Sequence, residues 1–405
     1  MSGDVTGQAG ARIRVLDALR GIAILAVLAH HYLTRYAPPH HPYNLYGYAT
    51  DYPRWLDLGA RGVQFFFIIS GFVIFMTLGR CRHLVEFWLR RLARLYPAYI
   101  VASAITLLVT ASFGPPDFRR GLFDYLVGLT FLTPFVSSAR LVEPAYWSLI
   151  VEIQFYFWIS VIYATAGRRF IGAWAAFVGL GALLSVLGHI PGWHLLGSIA
   201  RQVLLVDHVP YFTAGMIAFQ AWSGRREGTR LWGAVALLAY AATAEHLSVP
   251  AALVDAGMLV LFLAFVRGQL EWLAIRPLLF VGGISYSLYL VHQYVGVSLI
   301  VLLAGPGRLP DLVAFAIATT LCLLLAYLLT WAVEGPGKRW IMRRAQGDLL
   351  DAVAQRLPRF AFAPRDFAAR PRALQAVGDA LVQEHEAAVA PHGVAAAETL
   401  SVRRG

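Results

Sequence analysis

The chain has 405 residues, of which 58% are hydrophobic and only 14% are charged, and its mean hydropathy is +0.60. This composition excludes a soluble globular protein, in which about 25% of the residues are charged. Repeated apolar runs of about 20 residues match the thickness of a bilayer and predict an all-α protein, a polytopic transmembrane helical bundle. Basic loops on one side of the membrane then explain the formal net charge of +11, and no nucleic-acid partner is predicted.

Ten segments are predicted to span the membrane because they are apolar and long enough. In chain order they are residues 13–35, 58–79, 92–113, 144–166, 170–189, 199–221, 231–247, 250–267, 277–303 and 311–333. Residues 121–136 are also apolar, but this short stretch contains Asp124 and Pro134. A crossing there would move every later basic loop to the opposite side. We therefore predict that residues 112–143 form an extracytoplasmic loop with a re-entrant or interfacial helix.

The distribution of basic residues predicts the orientation of the chain. With ten spans, the basic loops fall on the same side as Arg12 and Arg14, and this side should be the cytoplasm. These loops are residues 80–94, 168–169, 225–230, 267–276 and 338–344. We expect a cytoplasmic N-terminal segment (1–12), a membrane domain (13–343) and a cytoplasmic, partly helical or disordered tail (344–405). Both termini would then face the cytoplasm.

The first span, LDALRGIAILAVLAHHY, carries two basic residues on one face. Arg20 and His31 are eleven positions apart, which is about 20° from three full turns and about 16 Å along the helix axis. Ionisable groups inside a membrane helix are costly and usually mark a functional path, so His31 is a candidate general base. His30 points about 100° away, and a position at the membrane interface would also explain His31. Asp17 is a weaker candidate, which capping or packing would explain.

The fourth span begins with AYWSLIVEIQFYF and carries Glu152. By the rise of a helix, Glu152 should lie about 10 Å below the outer surface and His31 about 8 Å, so that the two side chains could meet. The alternative is a carboxylate that pairs with an arginine for packing. The neighbours that could support a substrate are Trp147, Ser148, Gln154 and Tyr156. A place in the aromatic belt at the interface would also explain Trp147.

A basic cluster of Arg90, Arg91 and Arg94 precedes the third span's Tyr-Pro pair. Arg91 and Arg94 are three positions apart and share a helical face, and guanidinium groups suit the geometry of phosphate. Ordinary anchoring of a cytoplasmic loop would equally explain the cluster.

A late polar segment, GGISYSLYLVHQYV, places His292 in the middle of a span together with Ser285 and Tyr286. Such a helix should face a cavity or other helices, and a structural role suits His292 as well as a catalytic one. Ser70, in FFFIISGF, is a weaker candidate, and Glu334 could pair with a cytoplasmic arginine. The two cysteines lack the spacing of metal ligands, so no metal site is predicted.

Five motifs in this order resemble those of the acyltransferase family 3 membrane proteins, over roughly residues 13–343. They are the Arg, ten residues, His pattern of the first span, GVQFFFIISGFVI, RRLARLYPAY, YWSLIVEIQFYF and ISYSLYLVHQ. The first pattern selects His31 over His30. The chain departs from the family at Ile153, where a second glutamate is often found. The resemblance implies a membrane O-acyltransferase that has no bound cofactor and uses acyl-CoA, specifically acetyl-CoA, as its co-substrate.

The resemblance also implies roles and partners for these residues. Acyl-CoA would approach from the cytoplasm with its phosphates on Arg91 and Arg94, and the acceptor would be a cell-surface glycan or lipid-linked sugar outside the bacterial inner membrane. Arg20 would stabilise the thioester, His31 would deprotonate the acceptor or transiently take the acyl group, and Glu152 would orient His31. The candidate oxyanion donors are Ser148, Tyr286 and Arg20.

Other functions remain open at this point. The acceptor could be a small secreted molecule such as a macrolide. The chain could be a proton-coupled transporter or flippase with Arg20, His31 and Glu152 on the proton path, although no internal repeat is evident. It could also be a non-catalytic scaffold whose intramembrane charges are structural. The oligomeric state is not predicted.

Overall fold

The computed structural model describes residues 3–36, 52–81, 83–224, 248–304 and 308–347, together with a few residues between 233 and 241. In this part of the chain the regular structure is helical, apart from one isolated bridge between Ala304 and Leu309. Among the described residues, six helical stretches are long and apolar enough to cross a membrane, or up to seven if a bent pair of shorter helices counts as one span. The all-α class is therefore confirmed, whereas the count of ten spans is not.

The described residues form α-helices joined by short 3-10 and π-helical segments. The α-helices are α1 (Gly3–His30), α2 (Gly62–Leu78), α3 (Leu84–Phe113), α4 (Leu122–Gly128), α5 (Trp147–Ala166), α6 (Phe170–Leu187), α7 (His194–Gln202), α8 (Val209–Trp222), α9 (Val249–Val266), α10 (Arg276–Gly283), α11 (Ser285–Val291), α12 (Tyr294–Leu303), α13 (Asp311–Leu329) and α14 (Gly335–Gly347). Two π-helical segments, His31–Arg35 and Thr330–Glu334, continue α1 and α13. π-Helical turns occur frequently at functional sites, so both segments are candidates for such a site.

Some predicted spans differ from the observed helices. Residues 199–221 are divided into α7 and α8, because the chain turns at Leu205, a non-glycine residue with a φ of 58°. Residues 277–303 are divided into α10, α11 and α12, and α11 and α12 are bent by 59° relative to each other. The predicted span 231–247 lies largely outside the described residues, and the tail beyond residue 347 lies entirely outside them.

Close backbone packing positions α1 and α2. Gly282 of α10 lies against the backbone of Asp17 in α1, so closely that a Cβ atom there would collide with the Asp17 carbonyl. Gly71 of α2 and Gly215 of α8 make a similar approach to each other's helix. Small residues at such interfaces let membrane helices approach at backbone distance. These contacts leave little freedom for the helices that carry the first two motifs.

The loop 112–143 packs against the membrane helices. Its helix α4 has seven residues, about 10 Å in length, and is too short to cross a bilayer. The hydroxyl groups of Tyr96 and Tyr99 on α3 each donate a 2.9 Å hydrogen bond to carbonyl groups of this loop. At the start of the loop, Phe118 stacks on Tyr294 of α12 with ring centres 3.8 Å apart. The loop is therefore bound to α3 and α12, and its extracytoplasmic location stays a prediction.

Candidate active site

A cavity of about 100 Å³ lies between α1, α2, α3, α5 and α11. Its charged lining residues are Arg20, Arg91, Arg94 and Glu152, so that three positive side chains face one negative side chain. The hydroxyl groups in the lining belong to Ser70, Ser148, Tyr156, Ser285, Tyr286 and Tyr289. The fold thus gathers residues of four separate motifs, as well as Arg20, around one space.

Glu152 is held by two short hydrogen bonds. Ser70 Oγ donates to Glu152 Oε1 at 2.5 Å, and the Tyr156 hydroxyl donates to the same oxygen at 2.6 Å. Hydrogen bonds to an ionised carboxylate are short and strong, so this pair fixes the orientation of the carboxylate. Glu152 also interacts electrostatically with Arg20, Arg91 and Arg94. Its charge therefore balances part of the positive charge of the cavity.

The three arginines of the cavity differ in their hydrogen-bond partners. Arg20 Nη1 donates to Asp17 Oδ1 at 3.0 Å, and Arg91 Nη2 donates to Thr77 Oγ1 at 3.2 Å. For Arg94 the described residues provide electrostatic partners but no hydrogen bond. Guanidinium groups buried within a membrane protein need anions or a wet cavity, and excess donors favour a ligand with anionic or carbonyl oxygens. Arg94 is the arginine with most donors free for such a ligand.

Glu334 supplies another carboxylate near the cavity. It is the last residue of the second π-helical segment, it is buried, and it accepts a hydrogen bond from Ser287 Oγ at 3.0 Å. It interacts electrostatically with Arg94. The sequence suggested a pairing of Glu334 with a cytoplasmic arginine; its electrostatic partners in the structure include Arg94 and Arg20.

His31 does not line this cavity. It begins the first π-helical segment, and its ring centre lies 5.1 Å from that of His292, 5.0 Å from that of His30 and 6.4 Å from that of Tyr36. Its Nδ1 atom is buried and has no hydrogen-bond partner in the part of the chain that the structure describes. The expectation that Glu152 and His31 meet is therefore wrong. The two residues are not neighbours, because Glu152 lines the cavity and His31 lies among the rings of His30, Tyr36 and His292.

Tyr289 connects the cavity with the two imidazoles. It lines the cavity, and its ring centre is 5.4 Å from that of His292. Its hydroxyl group donates to the Ala145 carbonyl at 2.9 Å and lies 2.7 Å from Ser148 Oγ. The site thus has a cavity rich in arginine, an adjoining imidazole pair, and one tyrosine ring in contact with both.

Comparison with known proteins identifies the family. The model of the acyltransferase domain family (Acyl_transf_3) matches residues 13–331, which include the whole cavity lining and both imidazoles. The chain belongs to this acyltransferase family. The resemblance carried by the five motifs is therefore confirmed.

Two relatives of the chain in Staphylococcus aureus are named as an O-acetyltransferase or a putative O-acetyltransferase. The chain is 29% identical over 166 residues to the putative O-acetyltransferase SACOL0978 of strain COL, covering 37% of this chain and 24% of the relative. It is 26% identical over 171 residues to the O-acetyltransferase OatA of strain NCTC 8325, covering 38% and 25%. The matches thus span about a quarter of these relatives. No solved structure was found to match the chain.

The helical period explains which residues of the acyltransferase motif on α5 reach the cavity. Ser148, Glu152 and Tyr156 are four positions apart and therefore share a face, and all three line the cavity. Gln154 is on another face, where its Nε2 donates to the last carbonyl of α7 at 2.9 Å. Trp147 is 37% exposed and is not part of the lining. Gln154 and Trp147 are thus predicted site residues that the cavity does not include.

Arg90 is also outside the cavity. Its side chain is exposed, and its Nη2 donates to Glu86 Oε1 one turn earlier on α3 at 2.8 Å. Arg91 and Arg94 occupy the inward face of the same helix. Arg90 therefore forms a surface ion pair, which contributes little to stability, and a donor-binding role for it stays a prediction.

Glu143 is a buried acidic residue that sequence reasoning missed. Its side chain is inaccessible to solvent, and both carboxylate oxygens accept from the backbone N–H of Tyr294, at 2.9 and 3.2 Å. Burial raises the pKa of Glu143 well above its usual range. Nearby, Gln293 Nε2 donates to the Tyr36 hydroxyl at 2.6 Å. The only signal for Glu143 in the sequence was its position directly before Pro144, the first residue of a predicted span.

Proposed function

We propose that this protein is a membrane O-acyltransferase that moves an acetyl group from cytoplasmic acetyl-CoA to a hydroxyl of an extracytoplasmic cell-surface glycan or lipid-linked sugar. The observation that carries the proposal is the cavity in which Arg20, Arg91 and Arg94 face Glu152, next to the imidazole pair of His31 and His292. The arginines suit an anionic donor, and a neutral imidazole suits the deprotonation of a hydroxyl group.

The donor end of the site is formed by the arginines. Arg91 and Arg94 bind the phosphates of the CoA moiety, since both are on the inward face of α3 and Arg94 has donors to offer. Arg20, on α1, stabilises the thioester carbonyl. Ser148 and Tyr286 are additional candidate hydrogen-bond donors for the oxyanion. The relatives named O-acetyltransferases support acetyl as the transferred group.

The acceptor end of the site is formed by His31. His31 takes the proton of the acceptor hydroxyl while that oxygen bonds to the thioester carbonyl carbon. The C–S bond then breaks, and the leaving CoA thiolate receives the proton. The loop 112–143 packs near this end through Phe118, whose ring centre lies 5.7 Å from that of Tyr36. This contact supports entry of the acceptor from the loop's side.

Transfer by the purified protein tests this function. The full chain in nanodiscs would receive acetyl-CoA labelled in the acetyl group and a panel of glycans, lipid-linked sugars and macrolides. We expect alkali-labile label on a glycan or lipid-linked sugar, and none with heat-inactivated protein. Label confined to macrolides would contradict the proposed acceptor class. Absence of transfer to every acceptor, with proton-coupled solute uptake in liposomes, would favour a transporter.

Selective labelling tests the proposed orientation, with both termini on the cytoplasmic side of the inner membrane. Ser137→Cys lies in an exposed part of the loop 112–143, and Glu271→Cys lies in an exposed loop predicted to be cytoplasmic. A membrane-impermeant maleimide should label Ser137→Cys in spheroplasts and Glu271→Cys only after lysis. The background should be low, because Cys81 and Cys322 are buried and burial raises the pKa of Cys81 to about 12. The reverse pattern would overturn the orientation.

A further inference from the structure

The break between α11 and α12 is supported by side chains from other parts of the chain. The two helices are bent by 59° around His292. The Tyr146 hydroxyl donates to the Leu290 carbonyl at 2.9 Å, and the Tyr32 hydroxyl donates to the His292 carbonyl at 2.6 Å. The N–H of Tyr294 donates to Glu143, as described above. Irregular backbone inside a membrane protein needs such partners, and here they hold His292 at the bend.

The hydrogen bond of the His292 ring fixes its tautomer. Nδ1 of His292 lies 2.9 Å from the carbonyl oxygen of Tyr289. A carbonyl oxygen only accepts, so Nδ1 carries the proton and Nε2 of the neutral ring keeps its lone pair. Nε2 is buried and has no hydrogen-bond partner among the described residues. His292 therefore holds an unused acceptor inside the bundle.

The ring of His31 offers a donor to this lone pair. The two ring centres are 5.1 Å apart, and Nδ1 of His31 is the other buried imidazole nitrogen without a partner in the described structure at this place. The other titratable or charged groups around His31 are His30, Arg35 and Tyr36. His30 is within 3.2 Å of Thr34 Oγ1 and 3.5 Å of Asp57, so it has partners of its own.

We propose that His292 is a positioning residue for His31. Its Nε2 accepts a hydrogen bond from Nδ1–H of His31, which leaves Nε2 of His31 unprotonated and ready to act as the base. Hydrogen bonds of a catalytic pair are often long without substrate and tighten in the complex, which fits the observed ring separation. His292 thus has the role of orienting His31, which the family resemblance implied for Glu152. This inference rests on the proposed role of His31 as the base.

During the reaction the proton of the acceptor hydroxyl moves to Nε2 of His31 and then to the CoA thiolate. His292 keeps its own proton on Nδ1, bonded to the Tyr289 carbonyl, and stabilises the imidazolium of His31 through its Nε2. No net proton is gained or lost by the pair over one turnover. Truncation of His292 should therefore lower the rate of chemistry and leave donor binding unchanged.

The matched variants His292→Asn and His292→Gln test this role. The Asn amide occupies the place of Nδ1 and keeps a donor to the Tyr289 carbonyl, whereas the Gln amide occupies the place of Nε2 and keeps an acceptor for His31. We expect His292→Asn to lower kcat at least tenfold with little change in KM, and His292→Gln to recover part of the loss. The exposed His194→Asn is the control and should behave as the native protein.

A spectroscopic measurement separates this inference from the proposed function. In protein labelled with ¹⁵N-histidine, the His31 signals, assigned by their absence in His31→Ala, should show the Nδ1–H tautomer. In His292→Asn they should shift toward Nε2–H. An unchanged His31 tautomer in a folded His292→Asn protein would overturn the positioning role, whereas His292→Gln, which keeps an acceptor, should retain the native tautomer. The tautomer is measured without acyl transfer. The result therefore does not depend on whether the proposed acceptor is correct.

Discussion

His31→Ala is expected to reduce acyl transfer by about 10²–10⁴-fold while acetyl-CoA binds with its native affinity. Loss of a general base typically costs a factor of this size. Donor binding should be retained because His31 is not part of the cavity that Arg20, Arg91 and Arg94 line. Single-turnover transfer of labelled acetyl would report the chemical step, and equilibrium binding of acetyl-CoA to the same preparation would report the donor site.

The adjacent His30→Ala is the matched control for this prediction. Its ring is next to that of His31, but its Nδ1 faces Thr34 and Asp57, and it has no role in the proposed chemistry. We expect it to keep most of the transfer activity. Normal transfer by His31→Ala would remove the proposed base. Equal losses in His31→Ala and His30→Ala would point to a structural role for this end of α1.

Helical periodicity in the sequence was sufficient to predict much of the cavity. The period of 3.6 residues places Ser148, Glu152 and Tyr156 on one face of α5, and places Arg91 and Arg94 on one face of α3. The same period separates Gln154 from Glu152 by about 200°. Applied consistently, it would have removed Gln154 from the predicted site.

The relation between Glu152 and His31 could not be predicted from one sequence. The rise per residue gives the depth of a side chain along its own helix, but the lateral distance between two helices depends on which helices pack together. Glu152 is fixed by hydrogen bonds from Ser70 and Tyr156, whereas His31 faces the bend at His292. That bend depends on partners more than 100 positions away in the chain, such as Glu143, and no local signal marks it.

Arg91→Ala combined with Arg94→Ala is expected to weaken acetyl-CoA binding by about 10²-fold or more. Hydrogen bonds to charged groups contribute about 1.5–3 kcal/mol each, or roughly a factor of 10 to 100 in affinity. Arg94→Ala alone should account for more of the loss than Arg91→Ala. Arg91 already donates to Thr77, whereas Arg94 has no hydrogen-bond partner among the described residues.

Salt dependence distinguishes phosphate binding by this pair from simple anchoring of the loop. If Arg91 and Arg94 bind phosphates, native affinity should fall as ionic strength rises, and the double variant should lose part of that dependence. Arg90→Ala is the control, because Arg90 is exposed and pairs with Glu86 on the same helix; its affinity and salt dependence should match the native protein. If the double variant bound acetyl-CoA with native affinity, the pair would only anchor the loop at the membrane, and the donor phosphates would bind elsewhere. A loss of affinity confined to acetyl-CoA, with CoA itself still bound, would assign these arginines to the thioester end of the cavity.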